Sequence, residues 1–393
     1  MSFKLKFMGI SCFLLYLACG PDNSQREVPI KPQLTRQTDK IFALDNETSF
    51  EYLQPNLTEL NDSLYFTFFN RKNHSIYAYH YDSGVLVHKI VLDQEGPNQL
   101  PLRYGHLSYF VQNWDSIFAT NLDAYFIIDK FGVVKDKTEL TSQSGFFKRK
   151  TFHLDQATQL RGDQLDCGFS QVLPDQQKPN FKRVVYDIKS KEVVKVYMDE
   201  RELVSGYDEI LAHNTVTAEN GGIRNMGFYI VRDGDLLYTS YEIGDSIYHF
   251  RKDEKIASYY AGYSDLEVST IQQYFDNTLV KTFEGGISIG PNPDQSPTYL
   301  TMAIDPNGRY IYRLFKHGSR RIIDAETEKE TAELIGLSLV VLDLETEAVF
   351  SYKLPHEQIQ IWDNFFVTEE GLHFPVLEQE EEDEKRYMVF KLL

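Results

Sequence analysis

Residues 75–90 read Ser75-Ile76-Tyr77-Ala78-Tyr79-His80-Tyr81-Asp82-Ser83-Gly84-Val85-Leu86-Val87-His88-Lys89-Ile90. Two runs rich in aromatic and β-branched residues flank an Asp-Ser-Gly cluster, the pattern of a β-hairpin. The same shape returns from Tyr125 to Val134 around Phe131-Gly132, from Val184 to Val196 around Lys189-Ser190, and from Leu339 to Phe350 around Leu344-Glu345. A turn residue followed by an apolar strand also recurs: Asp62-Ser63-Leu64-Tyr65, Asp115-Ser116-Ile117-Phe118, Asp163-Gln164-Leu165, Asp235-Leu236-Leu237-Tyr238, Gly308-Arg309-Tyr310-Ile311-Tyr312 and Gly371-Leu372-His373-Phe374. Between positions 62 and 371 these six starts are spaced about 62 residues apart. Tight blade repeats run to ~40–50 residues, so the surplus belongs in loops.

Six units of short antiparallel strands, none able to bury both faces alone, are satisfied by radial packing. The sequence therefore predicts an all-β chain, a six-bladed β-propeller over residues 38–393 with no internal domain break. Two sandwiches or a β-helix fit worse, because the repeat runs evenly across every candidate boundary. The composition agrees: 25 Tyr and 27 Phe favour strands. The last strand, Arg386 to Leu392, and an apolar stretch near Ile41 to Leu53 predict that an early strand completes the last blade. Helical spacing of apolar residues in Asp265 to Lys281 and, less clearly, in Asp199 to His213 predicts short helical inserts between blades.

The N-terminus carries a different pattern. Lys4 and Lys6 precede an apolar run from Phe7 to Ala18, and Cys19 follows. Residues 1–18 read as a lipoprotein signal peptide with Cys19 as the lipid-bearing residue. The run falls short of the ~20 apolar residues that span a bilayer. An ordinary cleaved secretory signal with an incidental cysteine is the alternative. Residues 19–37, with Pro21, Pro29 and Pro32 and no hydrophobic period, read as a flexible tether reaching at most ~60 Å. With Cys12 lost and Cys19 acylated, Cys167 is the one thiol left, so no internal disulfide forms and packing must supply the stability. Gly20 after Cys19 points to an outer-membrane lipoprotein, facing the periplasm or the cell surface.

Charge narrows the partners. The chain has 58 acidic and 40 basic residues, net −18, and loss of Lys4 and Lys6 with the signal makes it −20. Such a surface repels nucleic acid and anionic headgroups. The expected partners are the membrane, through the anchor, and a protein or glycan. The acidic run Glu378 to Glu384 reads as a solvated hairpin loop, since consecutive carboxylates repel instead of converging on a metal. The basic spots Phe147-Lys148-Arg149-Lys150 and Lys316-His317-Gly318-Ser319-Arg320-Arg321 read as ordinary surface.

The turn Ile304-Asp305-Pro306-Asn307-Gly308-Arg309-Tyr310-Ile311-Tyr312 resembles the Pro-Asp-Gly-type strand start of TolB-like propellers. Glu95-Gly96-Pro97-Asn98 resembles the Gly-Pro loop of Bacteroidota six-bladed propeller lipoproteins. With the signal and the length, the whole chain resembles that lipoprotein family, a domain family of unknown function. The resemblance implies a fold and an address, and it supplies no catalytic residues.

Motifs for chemistry are mostly refused. Gly286-Ile287-Ser288-Ile289-Gly290 matches the nucleophile-elbow spacing, but Pro291 and Pro293 deny it the helix the elbow needs, and it reads as a Gly/Pro loop between blades. His356-Glu357 lacks a second histidine at position 360, which is Gln360. No metal-ligand spacing, calcium loop, Walker A or dinucleotide loop occurs, so no metal and no cofactor are expected. Asn98, Arg103 and His106 form the best polar cluster for a ligand-binding loop, against a purely structural role in loop hydrogen bonding. Asp62-Ser63-Leu64, Asp115-Ser116-Ile117 and Asp245-Ser246-Ile247 resemble Bacteroidota O-glycosylation acceptors and are also ordinary strand starts. Two function classes follow: a binding or scaffold module working through the propeller rim, and a hydrolase of lactones, esters or glycans with carboxylates at the central channel.

Overall fold

The computed structural model describes residues 29–48, 55–102, 107–121, 124–140, 150–171, 180–203, 227–265, 278–283, 286–291, 297–323, 330–361, 365–378 and 383–393. The chain divides into two units, Met1–Lys31 and Pro32–Leu393, and only residues 29–31 of the first are described. The second unit is a six-bladed β-propeller.

Blade 1 is the meander Asn56–Leu60, Ser63–Asn70, Ser75–His80 and Leu86–Val91. Blade 2 follows with Ser108–Asn113, Ser116–Thr120, Ala124–Ile128 and Val134–Glu139. In blade 3 two short segments, Lys150–His153 and Gln159–Arg161, both pair with Gln164–Gln171, and Phe181–Asp187 and Glu192–Asp199 complete it. Blade 4 comprises Phe228–Asp233, Leu236–Tyr241, Ser246–Arg251 and Glu254–Tyr260. Blade 5 comprises Thr298–Ile304, Tyr310–Lys316, Leu337–Asp343 and Val349–Leu354, with the hairpin Ser319–Ile323/Glu330–Leu334 inserted between its second and third strands. Blade 6 takes Phe366–Thr368, Gly371–Pro375 and Glu384–Leu392 from the end of the chain. Its outer strand comes from the start: Leu34–Arg36 and Lys40–Ala43 both pair with Glu384–Leu392.

The early strand does complete the last blade, as the sequence indicates. Leu34–Arg36 lies inside the stretch read as tether, however, and three residues after Pro32 are too few to show a period. Strand direction alternates within a blade, so the first and third turns share one end and the second turn and the inter-blade connections share the other. The first end has tight turns. Asn61 and Asp62 sit at φ +51° and +60°, the left-handed pair that closes a two-residue hairpin and that Asn and Asp tolerate. The Pro-Asn-Gly turn of blade 5 is longer: Gly308 N–H donates to the Asp305 carbonyl at 3.0 Å and Tyr310 N–H to Asp305 Oδ1 at 2.6 Å. Gly308, at φ +69°, lies against the Asp233 carboxylate of blade 4, where a side chain would collide.

Each seam between neighbouring blades holds an apolar cluster. Ile76 and Ile90 of blade 1 meet Ile117 and Phe126 of blade 2. Where the ring closes, between blades 6 and 1, the cluster is mostly aromatic: Phe42 stacks on Phe66 with ring centroids 4.2 Å apart, and Phe366 and Tyr387 close around them. Phe42 is fully buried although its strand lies at the blade's outer edge.

The helical inserts are corrected in part. Thr278–Phe283 is a strand paired with Gly286–Pro291, so residues 278–281 are not helical; the β-branched Thr278, Val280 and Thr282 favour the extended form. Residues 266–277 lie outside the described residues. In Asp199 to His213 the described part holds one 3₁₀ turn, Glu200–Glu202, and residues 204–213 lie outside. The second basic spot is not all surface either: Lys316 and Ser319 are buried at the base of the inserted hairpin.

Candidate central-channel site

The first strand of every blade faces the axis and carries a ladder on one side only. Its other edge presents peptide N–H and C=O groups to a central channel of about 1100 Å³. Aromatic and aliphatic side chains alternate with those edges, among them Tyr109, Phe169, Phe228, Tyr229, Met302 and Phe366. The described carboxylates that line it are Glu59 on blade 1 and Asp155 on blade 3; the described cations are Arg71, Lys182 and Arg232.

Blade 3 shapes this channel. Its inner strand is interrupted at Asp155-Gln156-Ala157-Thr158, where Thr158 N–H donates to the Asp155 carbonyl at 2.9 Å and Ala157 N–H to Asp155 Oδ1 at 3.0 Å. An Asp that caps its own turn breaks the ladder there. Gly168 on the neighbouring strand permits the approach, since a β-carbon there would stand 2.8 Å from Asp155 Oδ2. The turn sends Gln156 into the channel, and its Nε2 donates to the Ile230 carbonyl of blade 4 at 3.2 Å and the Met302 carbonyl of blade 5 at 3.1 Å. One side chain thus ties the inner edges of three blades.

Behind the turn lies an ionic network. Arg183, wholly buried, donates to both oxygens of Asp155 at 2.9 and 3.0 Å, and to Asp166 Oδ1 at 3.0 Å through Nη2 and 3.2 Å through Nε. Its Nη2 also reaches the Ala157 carbonyl at 3.0 Å. Arg232 from blade 4 reaches Asp166 Oδ2 at 2.5 Å and the Ala157 carbonyl at 2.7 Å, and the Tyr197 hydroxyl donates to Asp166 at 2.7 Å. Burial alone pulls a guanidinium down, but Asp155 and Asp166 more than offset it, so Arg183 stays charged. Two arginines and two aspartates balance. Cys167, the buried thiol beside them, is pushed well up by burial and is inert as a nucleophile.

A hydrolytic carboxylate pair is not assembled from the described lining. Asp155 is committed to Arg183 and to its own turn, and Glu59 stands on blade 1. Among the described residues no group of three His, Cys, Asp or Glu side chains is placed to hold a metal ion. Of the loop residues expected to bind ligand, Asn98 is half-buried in the turn after blade 1's outer strand and does not line the channel. Arg103 and His106 lie outside the described residues, as does Cys19. That loop is organised by Gln94, whose side chain holds the Leu92 and Leu100 carbonyls and the Leu102 N–H, each at 3.2 Å. Ser288 lies in a strand of a hairpin, without the strand-turn-helix geometry of a nucleophile elbow and not in the loop expected of it. Ser63, Ser116 and Ser246 are half-buried strand starts.

Sequence reasoning missed the Asp155–Thr158 break and Gln156. Its one local signal is an Asp four residues before the Gln159–Arg161 segment, and the partners that give it meaning, Arg183 and Met302, are far along the chain.

Comparison with known proteins fits this fold. The profile of a family described as "Domain of unknown function (DUF4221)" matches residues 34–345. A crystal structure of a DUF4221 member from Bacteroides vulgatus superposes with a TM-score of 0.67 at 16% identity, covering 92% of this chain and 99% of that one. A "Putative exported protein" from Bacteroides fragilis gives 0.54 at 14% identity, covering 92% and 95%. These likenesses show the fold alone. None of the curated proteins matches the sequence.

Proposed function

The chain belongs to the DUF4221 family, and from that premise we propose that it is a membrane-anchored lipoprotein whose ring works as a binding or scaffold module for a protein or glycan. Cys19 carries the lipid, and residues 20–33 lead from it to the outer strand of blade 6. The address is the outer membrane, facing the periplasm or the cell surface. Among the described residues no helix is long and apolar enough to cross a membrane.

The observation that carries the binding reading is the channel. It offers peptide edges and aromatic walls that suit a polar polymer, while its carboxylate on blade 3 is consumed by Arg183. The loop bearing Asn98, Arg103 and His106 joins blade 1 to blade 2 at the long-connection end, and we assign it a ligand contact there. The hydrolase alternative finds less support, because it needs carboxylates free to move protons.

The test is thermal-shift titration of the full chain with glycans and peptides, alongside assay on generic ester and glycoside substrates. Stabilisation by one ligand class, diminished in Asn98→Ala, supports the module. Turnover of a substrate without any stabilising ligand overturns it. Palmitate labelling that persists in Cys19→Ala would refute the anchor.

A further inference from the structure

At the outer rim, the third turn of a blade crosses the outer strand of the blade before it. Two of these crossings are ionic. Lys191 at the turn of blade 3 meets Asp136 of blade 2 at 2.9 Å, and Asp253 at the turn of blade 4 meets Lys195 of blade 3 at 2.6 Å. Two others, of blades 1 and 2, are close backbone approaches, the first also bridged by Lys40 Nζ of blade 6, which donates to the Asp82 carbonyl at 3.4 Å. The turn of blade 1 sets Gly84 against blade 6, where a β-carbon would stand 3.1 Å from the Ile41 carbonyl, and the turn of blade 2 sets Gly132 directly on the Val91 carbonyl of blade 1. Both turns are closed by the glycine's N–H, in loops of different length: Gly84 N–H donates to the His80 carbonyl four residues back and Gly132 N–H to the Asp129 carbonyl three residues back, both at 2.9 Å.

Exposed apolar side chains collect on this second arc. Phe131 is 75% exposed at the tip of its turn, and Val85, Val87, Val91, Val133 and Ile41 stand exposed beside the two crossings. With Leu86 they make seven of the fourteen large hydrophobics exposed among the described residues. The turn tips of blades 3 to 5 carry exposed Lys189, Lys252, Asp253, Glu345 and Glu347 instead. Exposed apolar side chains gathered in this way mark an interaction surface.

We infer that the rim of blades 6, 1 and 2 rests on the lipid surface that holds the anchor. This rests on the lipoprotein reading above. The chain preceding the ring joins blade 6: residues 20–33 run from Cys19 to the strand Leu34–Arg36, entering beside blade 5, where the Pro32 carbonyl accepts from the Tyr352 hydroxyl at 2.7 Å, and the continuation Lys40–Ala43 carries Ile41 to the arc. Fourteen residues span at most ~50 Å, so the bilayer stays within reach of the rim. The arc is made of turn tips and outer strands with their apolar side chains exposed, which suits a lipid surface. Lys130, whose ammonium lies 5.5 Å from the Phe131 ring, can remain among the headgroups while the ring enters the acyl boundary. The charged tips of blades 4 and 5 then face away from the membrane.

The test uses the lipidated full chain on zwitterionic phosphatidylcholine–phosphatidylethanolamine vesicles, spin-labelled through Phe131→Cys or, as a control on blade 4, Ile256→Cys. Expected is a label at 131 that is relaxed by dioxygen and shielded from a water-soluble nickel chelate, with the opposite at 256. Equal nickel access at both positions, in chain that floats with the vesicles, overturns the inference and leaves the anchor intact. Chain that carries no lipid refutes the anchor, and the rim is then judged by flotation of that unlipidated chain: flotation lost in Phe131→Asp supports it, and no flotation overturns it. Dipolar broadening at 131 without vesicles assigns the arc to a second copy and also overturns it.

Discussion

The seam between blades 3 and 4 and the seam between blades 6 and 1 do the same mechanical work with opposite chemistry. At the first, Arg183 and Arg232 are locked on Asp155 and Asp166 in a buried, charge-balanced set. At the second, where the two ends of the chain meet, the filling is aromatic and the polar groups are kept neutral or placed at the margin. His373 is wholly buried there; its Nδ1 lies 3.0 Å from the Gly371 carbonyl, which can only accept, so Nε2 is the acceptor facing the Tyr81 hydroxyl at 2.6 Å. The same hydroxyl lies 2.7 Å from Glu370 Oε2 and 3.1 Å from Thr368 Oγ1, and Lys40 sits 4.0 Å over the Tyr81 ring. The difference follows from connectivity. Blades 3 and 4 are consecutive in the chain, whereas blades 6 and 1 must find each other, and apolar faces tolerate approach from many directions while an ion network does not.

Four measurements separate the seams. Removing the buried cation from the ionic seam has the largest expected effect: Arg183→Met strands Asp155, leaves Asp166 to Arg232 and Tyr197, and should cost about 3–5 kcal/mol by urea denaturation. A loss below 1 kcal/mol would show that the network is not a structural core. Phe42→Ala, at the aromatic seam, should cost a comparable ~3–5 kcal/mol through its cavity, and unlike the first loss it should be insensitive to salt. Acid tells the seams apart most directly. Burial holds His373 down to about 4 against an ordinary 6.5, with Glu370 pulling the other way and Lys40 adding to the depression. A histidine kept neutral by the fold gives its full stability above 6.5 and loses it as pH falls toward about 4, a loss of about 3 kcal/mol. His373→Gln should flatten that part of the pH profile, and an unchanged profile would contradict the assignment. Smallest is the rim pair: Lys195→Ala breaks a half-exposed bridge to Asp253 and should cost under ~1 kcal/mol, vanishing in high salt.

Much of the ring was legible beforehand because its signals are local. An Asp or Gly beside an alternating apolar run announces a hairpin, and six such starts announce six blades. The third turns of blades 1 and 2 lie in the quoted runs around Ser83-Gly84 and Phe131-Gly132. Leu34–Arg36 was too short to show a period, and the apolar residues near Thr278 satisfied helical spacing and strand propensity at once. The site was much less legible. Arg183 stands just before the apolar run Val184-Val185-Tyr186 and gives no hint that it is buried, since its neutralising partners lie 17 and 28 positions away. Gln156 reaches a carbonyl 146 positions on. Periodicity reports which face a residue occupies and cannot report what a neighbouring blade places opposite it.

The outer strand of blade 6 is the first part of the ring to be synthesised and the last to find its place, because Thr35 must wait for Lys391, 356 positions later. Until the end of the chain is available, blade 6 lacks the strand that seals it and Phe42 has no complete pocket, so ring formation has an obligatory final step of very high contact order. The same strand would bear any pull applied to the N-terminus. A force on the N-terminus draws Leu34–Arg36 off its partner one hydrogen bond at a time, in an unzipping direction, before any inner strand is loaded. Blade 6 is therefore the expected breaking point under tension, and single-molecule pulling from the N-terminus should release residues 34–43 first.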